Sequence, residues 1–134
     1  MHGYKTKVKL FQTDAAGKLF FSNLFMIAHE CYENYFYDNQ IKISDIIRKK
    51  KFLISIVHAE ADYVRPIFND EILFVLMEAE KIGNRSYTLN FNIKKQNGKQ
   101  AAKVTTVHVT SDYSSGKSIV IPKDVKRIIS KLSS

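Results

Sequence analysis

The sequence predicts an α+β fold in which an antiparallel sheet wraps around a long central helix. Two observations predict it. Residues 23–38 carry apolar side chains at helical spacing, and from residue 53 onward the apolar residues recur with a period of two over four consecutive segments. These segments follow one another through short turns, so neighbouring strands are expected to run antiparallel. A chain of 134 residues suits one domain, which we expect to span residues 1–134.

The first half of the chain is expected to contain one strand and two helices. Residues 4–11 alternate apolar side chains with lysines, which is typical of a half-buried strand. The helix over residues 23–38 is expected to be buried around much of its circumference. A shorter helix over about 43–50 is expected to begin with Ser44 as its N-cap. The apolar stripe of the longer helix consists of Leu24, Ile27, Ala28, Cys31 and Tyr35.

The second half is expected to consist mainly of strands. Pro66 stops the first of them, and Gln96-Asn97-Gly98 is a hairpin signal between the last two. Residues 119–121 are a candidate extension of the sheet, and Pro122 is expected to open a terminal helix that runs to about residue 132. The four strands are predicted over residues 53–65, 72–81, 86–95 and 100–112.

Composition narrows the classes of partner. A net charge of +8 favours an anionic partner. The basic residues are scattered and are not interleaved with aromatic residues as in RNA-binding domains, so we expect no nucleic-acid partner. The single cysteine, Cys31, lies among apolar helix positions and is predicted to be a core thiol. There is no run of about 18 apolar residues and no signal-peptide pattern, so we expect no membrane insertion and a cytoplasmic location.

The segment Thr13-Asp14-Ala15-Ala16-Gly17 has the strongest catalytic potential in the chain. It is followed by Phe20-Phe21 and by a helix that begins at Asn23, so it places one carboxylate just ahead of a helix N-terminus. Unpaired N–H groups at a helix start can stabilise an oxyanion, and a carboxylate beside them can act as nucleophile or general base. The alternative is structural, because an Asp in such a loop commonly bonds the backbone two residues further on.

Three polar residues on one strand raise the alternative of a metal site. His58, Glu60 and Asp62 alternate, so they share one face of the strand, and such side chains can bind zinc. The opposite face suits contact with the buried helix and carries Val57, Ala59 and Ala61. We therefore expect the polar trio to face outward or into an oligomer contact, and we predict no metal.

Two helix residues and one strand residue complete the candidates. His29 and Glu33 are neighbours one helical turn apart and are expected to form a hydrogen-bonded pair beside the pocket, with Glu33 as a possible assistant to Asp14. His108 is expected to point outward on its strand and to be structural.

These motifs together resemble a family. The chain is similar to hotdog-fold acyl-CoA thioesterases of the 4-hydroxybenzoyl-CoA thioesterase type over nearly its full length. Within that family, the Met1-His2 opening and His29-Glu30-Cys31-Tyr32-Glu33-Asn34 resemble the 1,4-dihydroxy-2-naphthoyl-CoA thioesterases. Lys18-Leu19 departs from the two small β-branched residues usual there. The other matching motifs are the Asp14 loop, His58-Ala59-Glu60-Ala61-Asp62-Tyr63-Val64-Arg65-Pro66, Asn69-Asp70-Glu71, Gly83-Asn84-Arg85-Ser86-Tyr87 and Ile121-Pro122.

The resemblance implies an activity and a set of site residues. It implies hydrolysis of an aromatic acyl-CoA, such as 1,4-dihydroxy-2-naphthoyl-CoA in menaquinone or phylloquinone biosynthesis, by a homodimer or homotetramer. Asp14 takes the catalytic position and the backbone N–H of Phe21 takes that of the oxyanion donor. Arg85, Ser86 and Lys117 fall where the family contacts the nucleotide of CoA. Gly17, Phe20, Phe25 and His29, around the same loop and helix, are further candidates for substrate binding.

No metal is expected, because a thioester is already activated and a carboxylate with an oxyanion site is enough. No cofactor is expected, because coenzyme A is part of the substrate. Two alternatives stay open. One is a thioesterase of broad specificity for short or medium acyl chains, and the other is a module that binds acyl-CoA or acyl carrier protein without catalysis. A hydratase is disfavoured, because it would need a histidine at the helix start and His29 lies about two turns in.

Overall fold

A five-stranded antiparallel sheet packs against one long helix in the computed structural model, which describes residues 1–133. This confirms the predicted α+β class with its central helix. The helices are α1 (Asn23–Asp38), α2 (Ile43–Lys49) and α3 (Lys123–Ser130), and a short 3-10 helix covers Leu10–Gln12. The strands are β1 (His2–Lys7), β2 (Phe52–Tyr63), β3 (Ile72–Ile82), β4 (Ser86–Lys95) and β5 (Gln100–Asp112).

The order of the strands leaves β2 at one edge of the sheet. The order is β1-β3-β4-β5-β2, with β3, β4 and β5 joined as consecutive hairpins. One edge of β2 pairs with β5, from Phe52 opposite Asp112 to Tyr63 opposite Ala102. Within residues 1–133, the other edge of this 12-residue strand pairs with no strand.

The apolar stripe of α1 forms the core together with the inner face of the sheet. Leu24, Ile27, Cys31 and Phe36 have no exposed surface. Burial of Cys31 raises the pKa of its thiol to about 12, which confirms an inert core position. The opposite face of α1 stays exposed, with Met26 58% accessible. The helix is thus buried or half-buried around much of its circumference, as expected, and one stripe of its surface is exposed.

Three element predictions need correction. β1 ends at Lys7 instead of continuing to residue 11, because the chain turns there into the 3-10 helix. Lys42 occupies the N-cap position of α2, so Ser44 lies inside that helix and does not cap it. Residues 119–121 add no strand to the sheet, and only an isolated bridge between Ser111 and Ser118 forms nearby.

The other bounds agree with the sequence prediction to within one or two residues. The helix predicted over residues 23–38 is confirmed at both ends. In the predicted hairpin, Gly98 adopts a positive φ of 85°, a backbone conformation that glycine tolerates best. No helix within residues 1–133 is long and apolar enough to span a membrane.

Candidate active site

The Asp14 carboxylate organises its own loop. Its Oδ1 accepts hydrogen bonds from the backbone N–H of Ala16 at 2.8 Å and of Lys18 at 3.1 Å. Gly17 turns the chain with a φ of 77°, and a bridge between Thr13 and Leu19 closes the loop. The Asp14 residue is exposed, and its Oδ2 forms no hydrogen bond within residues 1–133. Asp14 therefore has the structural role of bonding its own loop through Oδ1. Its other carboxylate oxygen, Oδ2, stays available for chemistry.

Gln12 ties this loop to the start of α1, a role that the sequence analysis missed. Its carbonyl accepts a hydrogen bond from the Phe20 N–H at 2.9 Å and another from the Asn23 side-chain amide at 2.7 Å. The Phe21 N–H donates to no acceptor in residues 1–133, although the Phe21 carbonyl accepts from the Tyr63 hydroxyl. The predicted oxyanion donor is thus an unpaired N–H at a helix start held next to the Asp14 loop.

A cavity of about 610 Å³ lies between α1, the 3-10 helix and the inner face of the sheet. Among the predicted residues, Phe25, His29 and Glu33 line it. Asp14, Gly17, Phe20 and Phe21 do not line it, but Gln12 does, so the loop adjoins the cavity through this residue. The largest lining side chains are apolar or aromatic: Phe11, Phe25, Met26, Tyr32, Ile56 and Phe91.

His29 and Glu33 do not form the predicted hydrogen-bonded pair. No hydrogen bond joins them within the described residues, because the His29 imidazole stacks on the Tyr32 ring, with centroids 5.6 Å apart and planes at 14°. Both residues also line a second cavity of about 360 Å³. The apolar side chains of α2 cover that cavity, namely Ile43, Ile46 and Ile47.

The predicted nucleotide contacts gather at the far end of the sheet. The Arg85 guanidinium donates to the carbonyl and the hydroxyl of Ser118, both at 3.1 Å, and the Asp112 N–H donates to the Lys117 carbonyl at 2.8 Å. Ser86 begins β4 directly after Arg85. The structure therefore brings Arg85, Ser86 and Lys117 together beside the last residues of β5.

These residues are remote from Asp14 within one protomer. The Asp14 loop is bonded to the segment after β2, and that segment joins β5 where the Val64 N–H donates to the Ala101 carbonyl. Arg85 joins β5 at the other end, through the Thr110 N–H. From Ala101 to Thr110 an extended strand covers roughly 30 Å. One protomer therefore does not bring the two groups into one site.

The polar trio on β2 forms no metal site. His58 Nε2 lies 3.7 Å from Glu60 Oε1, and both side chains are exposed. Residues 1–133 contain no group of three His, Cys, Asp or Glu side chains that could hold a metal ion. On the other face, Ala59 lines the larger cavity, but Val57 is 61% exposed. The prediction for Val57 is wrong because a β-bulge between Ile56 and His58 interrupts the alternation there.

His108 lies in the core instead of pointing outward. It is 1% exposed and stacks on two tyrosine rings, Tyr32 at 4.6 Å and 21° and Tyr87 at 5.0 Å and 8°. It lines the larger cavity together with Thr106, although the sequence pattern predicted a site role for neither residue. The alternation of residues along β5 indicates that Thr106 and His108 point inward, because they share a strand face with the apolar Ala102 and Val104.

Comparison with known proteins places the chain among CoA thioester hydrolases. Residues 8–129 match the model of the Thioesterase-like superfamily. The 1,4-dihydroxy-2-naphthoyl-CoA hydrolase of Nostoc punctiforme is 30% identical over 122 residues, which are 91% of this chain and 82% of that protein. The hydrolase of the same name from Prochlorococcus marinus is 30% identical over 128 residues, covering 90% and 82% of the two chains.

Solved structures support the same fold. A 1,4-dihydroxy-2-naphthoyl-CoA thioesterase from Synechocystis superposes with a TM-score of 0.93 at 23% identity, over 98% of this chain and 96% of that one. A gentisyl-coenzyme A thioesterase superposes with a TM-score of 0.84 at 24% identity, over 95% and 98%. With the family match over residues 8–129 and relatives at 30% identity, the chain belongs to the Thioesterase-like superfamily.

Proposed function

We propose that this protein hydrolyses the thioester of an aromatic acyl-CoA, with 1,4-dihydroxy-2-naphthoyl-CoA of quinone biosynthesis as its substrate. The observation that carries the proposal is the cavity of about 610 Å³ that adjoins the Asp14 loop. Its large aromatic and aliphatic side chains suit a flat ring system through stacking and burial of area. The names of the relatives in Nostoc and Prochlorococcus support this choice of substrate.

The proposed chemistry needs one carboxylate and one N–H donor. The thioester carbonyl lies against the Phe21 N–H, which stabilises the negative charge that develops on its oxygen. Asp14 Oδ2 either removes a proton from the attacking water or attacks the carbonyl carbon itself. In the first route water forms the new C–O bond as the C–S bond breaks. In the second route Asp14 displaces the thiolate to give a mixed anhydride, which water then hydrolyses to release the acid and restore the carboxylate. In both routes the thiolate of CoA gains a proton that water supplies. No metal or cofactor takes part in these steps.

We also propose that the working unit contains two copies of the chain. The free edge of β2 is an open row of backbone donors and acceptors, and such edges in stable proteins are usually covered. Exposed apolar side chains lie along it and on the neighbouring 3-10 helix and helix start: Leu10, Phe11, Phe21, Met26 and Val57. A patch of this kind marks an interface. Pairing of dimers into a tetramer stays a prediction.

An antiparallel pairing of β2 with its copy would complete the site. A two-fold axis places the Phe52 end of one strand beside the Tyr63 end of the other. The Phe52 end lies next to Asp112 and the Arg85–Lys117 group, whereas the Tyr63 hydroxyl bonds Phe21. The basic group of one copy then faces the Asp14 loop of the other, where it can bind the phosphates of CoA.

A thioesterase for longer aliphatic acyl groups is the second candidate. The second cavity favours it, because it shares His29, Tyr32 and Glu33 with the first and extends the apolar volume beneath α2. A straight chain can extend across two adjoining cavities, whereas a rigid ring system fills one.

A substrate panel tests the proposal. The purified protein is assayed with 1,4-dihydroxy-2-naphthoyl-CoA, benzoyl-CoA, hexanoyl-CoA and palmitoyl-CoA. We expect the highest kcat/KM for the naphthoyl thioester. A higher kcat/KM for palmitoyl-CoA would favour the second candidate. Binding of these thioesters without hydrolysis of any of them would contradict the enzyme and favour an acyl-CoA binding module.

A further inference from the structure

The inner wall of the larger cavity carries two polar side chains from β5 among apolar ones. Thr106 is 5% exposed and His108 is 1% exposed. Thr106 Oγ1 and His108 Nε2 share a hydrogen bond of 2.8 Å. Buried polar groups cost free energy unless each forms a hydrogen bond. The donors and acceptors that the Thr106–His108 hydrogen bond leaves free are therefore expected to bind a further partner.

The imidazole of His108 is held in one orientation. The rings of Tyr32 and Tyr87 both stack on the imidazole, and their hydroxyls bond each other at 2.6 Å. Its second nitrogen, Nδ1, forms no hydrogen bond within residues 1–133. Every fully buried side-chain nitrogen and oxygen in those residues has a partner, so Nδ1 must keep access to the cavity that His108 lines. A rigid polar atom therefore remains free to bind a ligand there.

The chemistry of this atom selects a neutral partner. Burial, followed by the charge of His29, lowers the pKa of His108 to about 3, so the ring is neutral near pH 7. One nitrogen of a neutral imidazole donates and the other accepts, and the Thr106 hydroxyl can serve either one. A ligand hydroxyl can also donate or accept, so it fits both tautomers. A carboxylate or an ammonium group would have to bring an unpaired charge into an apolar wall.

We propose that Thr106 and His108 form a subsite that binds a phenolic hydroxyl on the acyl ring of the substrate. This inference rests on the proposed function, because it assumes that the cavity takes the acyl group. In this proposal, Thr106 and His108 discriminate between hydroxylated and unsubstituted aromatic thioesters. A site that bonds a ligand hydroxyl rejects the analogue that lacks it, because its own polar groups are then left unpaired.

Two CoA thioethers that cannot be hydrolysed test the subsite by calorimetry. In both, a methylene group separates the carbonyl from the sulfur, and one carries a 1,4-dihydroxy-2-naphthyl ring while the other carries a plain 2-naphthyl ring. We expect the wild type to bind the hydroxylated compound about tenfold more tightly, as for one or two neutral hydrogen bonds. The double variant Thr106→Val/His108→Phe should reduce this ratio to near one. It keeps an aromatic ring stacked on both tyrosines, and it removes both members of the Thr106–His108 hydrogen bond, so neither is left unpaired.

Thr105→Val is the matched control, because Thr105 lies on the outer face of the same strand and bonds Asn90 at 2.9 Å. The control should keep the wild-type ratio. If the double variant does not fold, Thr106→Val alone should lower the ratio at least twofold. A wild-type ratio near one, or a ratio that the variants leave unchanged, overturns the subsite.

The result separates this inference from the proposed function. A tenfold ratio in a protein that hydrolyses no thioester would leave the subsite standing and overturn the enzyme. If the protein hydrolyses aromatic thioesters but binds the two thioethers equally tightly, the proposed function stands and the subsite is overturned. If neither thioether binds the wild type, the subsite is overturned, and the proposed function is decided by the hydrolysis assay alone.

Discussion

The neutral state of His108 stabilises the folded chain in a way that depends on pH. Its pKa falls to about 3, chiefly because burial disfavours the charged ring. Electrostatic repulsion from His29 lowers the pKa further. The groups that face it are Tyr32 and His29 from α1, Tyr87 from β4 and Thr106 from its own strand. In the unfolded chain the imidazole takes up a proton near pH 6.5, the ordinary pKa of a histidine. The stabilisation is therefore complete above that pH and is lost as the pH falls toward the folded value.

We expect His108→Phe to make the folded state less sensitive to acid. Between pH 6.5 and 4.5 the wild type should lose about 2 kcal/mol of unfolding free energy through this one group. The variant should lack that component, because phenylalanine does not titrate. Urea unfolding of both proteins at the two pH values measures the difference. Equal losses in the two proteins would contradict a neutral buried imidazole.

Among the elements, β2 is an edge strand whose environment is incomplete in a single chain. Its outer edge is unpaired and its bulge residue, Val57, is 61% exposed. An exposed apolar residue on an open sheet edge favours aggregation when the chain is alone. In a dimer the same residue would be buried at the interface.

A lysine at Val57 should therefore prevent assembly. We expect Val57→Lys to convert a dimer into a monomer of 15.4 kDa, because the charge would have to be buried between two edges. Val120→Lys is the control, since Val120 is 62% exposed but lies in the segment before α3. Light scattering after size-exclusion chromatography gives both masses. A wild type that is monomeric, or a Val57→Lys variant that stays dimeric, would contradict the proposed interface.

Sequence periodicity predicted the elements well because each signal was local. The helix over residues 23–38 and the strands after it follow from spacing alone. Spacing did not predict the Val57 bulge, because a bulge depends on the partner strand, or the inward face of His108, because that requires the phase of β5 relative to the core. The Asp14 loop was found from its motif, whereas the cavity beside it is formed by residues distant in sequence.

For the whole molecule, the main consequence is that one protomer holds the parts of the proposed site at two ends of its sheet. We predict complementation between two defective variants, Asp14→Asn and Arg85→Ala/Lys117→Ala. The first should lose turnover, and the second should have a raised KM, because phosphate contacts are made equally in the ground and transition states. In a mixed dimer, one of the two sites receives an intact Asp14 loop and an intact basic group.

Co-expression of the two variants should restore roughly a quarter of the wild-type kcat/KM, because half of a random mixture is mixed dimers and each has one intact site. Activity is measured at a substrate concentration below the wild-type KM. If the mixture is no more active than the average of its two parents, the site does not draw on both copies.

The most direct test of the central claim is the turnover of 1,4-dihydroxy-2-naphthoyl-CoA by Asp14→Asn. The amide oxygen of asparagine can keep both backbone hydrogen bonds, from Ala16 and Lys18, so the loop should fold and only the base or nucleophile is lost. Asp38→Asn, at the exposed end of α1, is the matched control. The account predicts that Asp14→Asn lowers kcat by at least about a hundredfold, while the control keeps wild-type turnover and both retain the wild-type circular dichroism. Turnover by Asp14→Asn close to that of the wild type would contradict it.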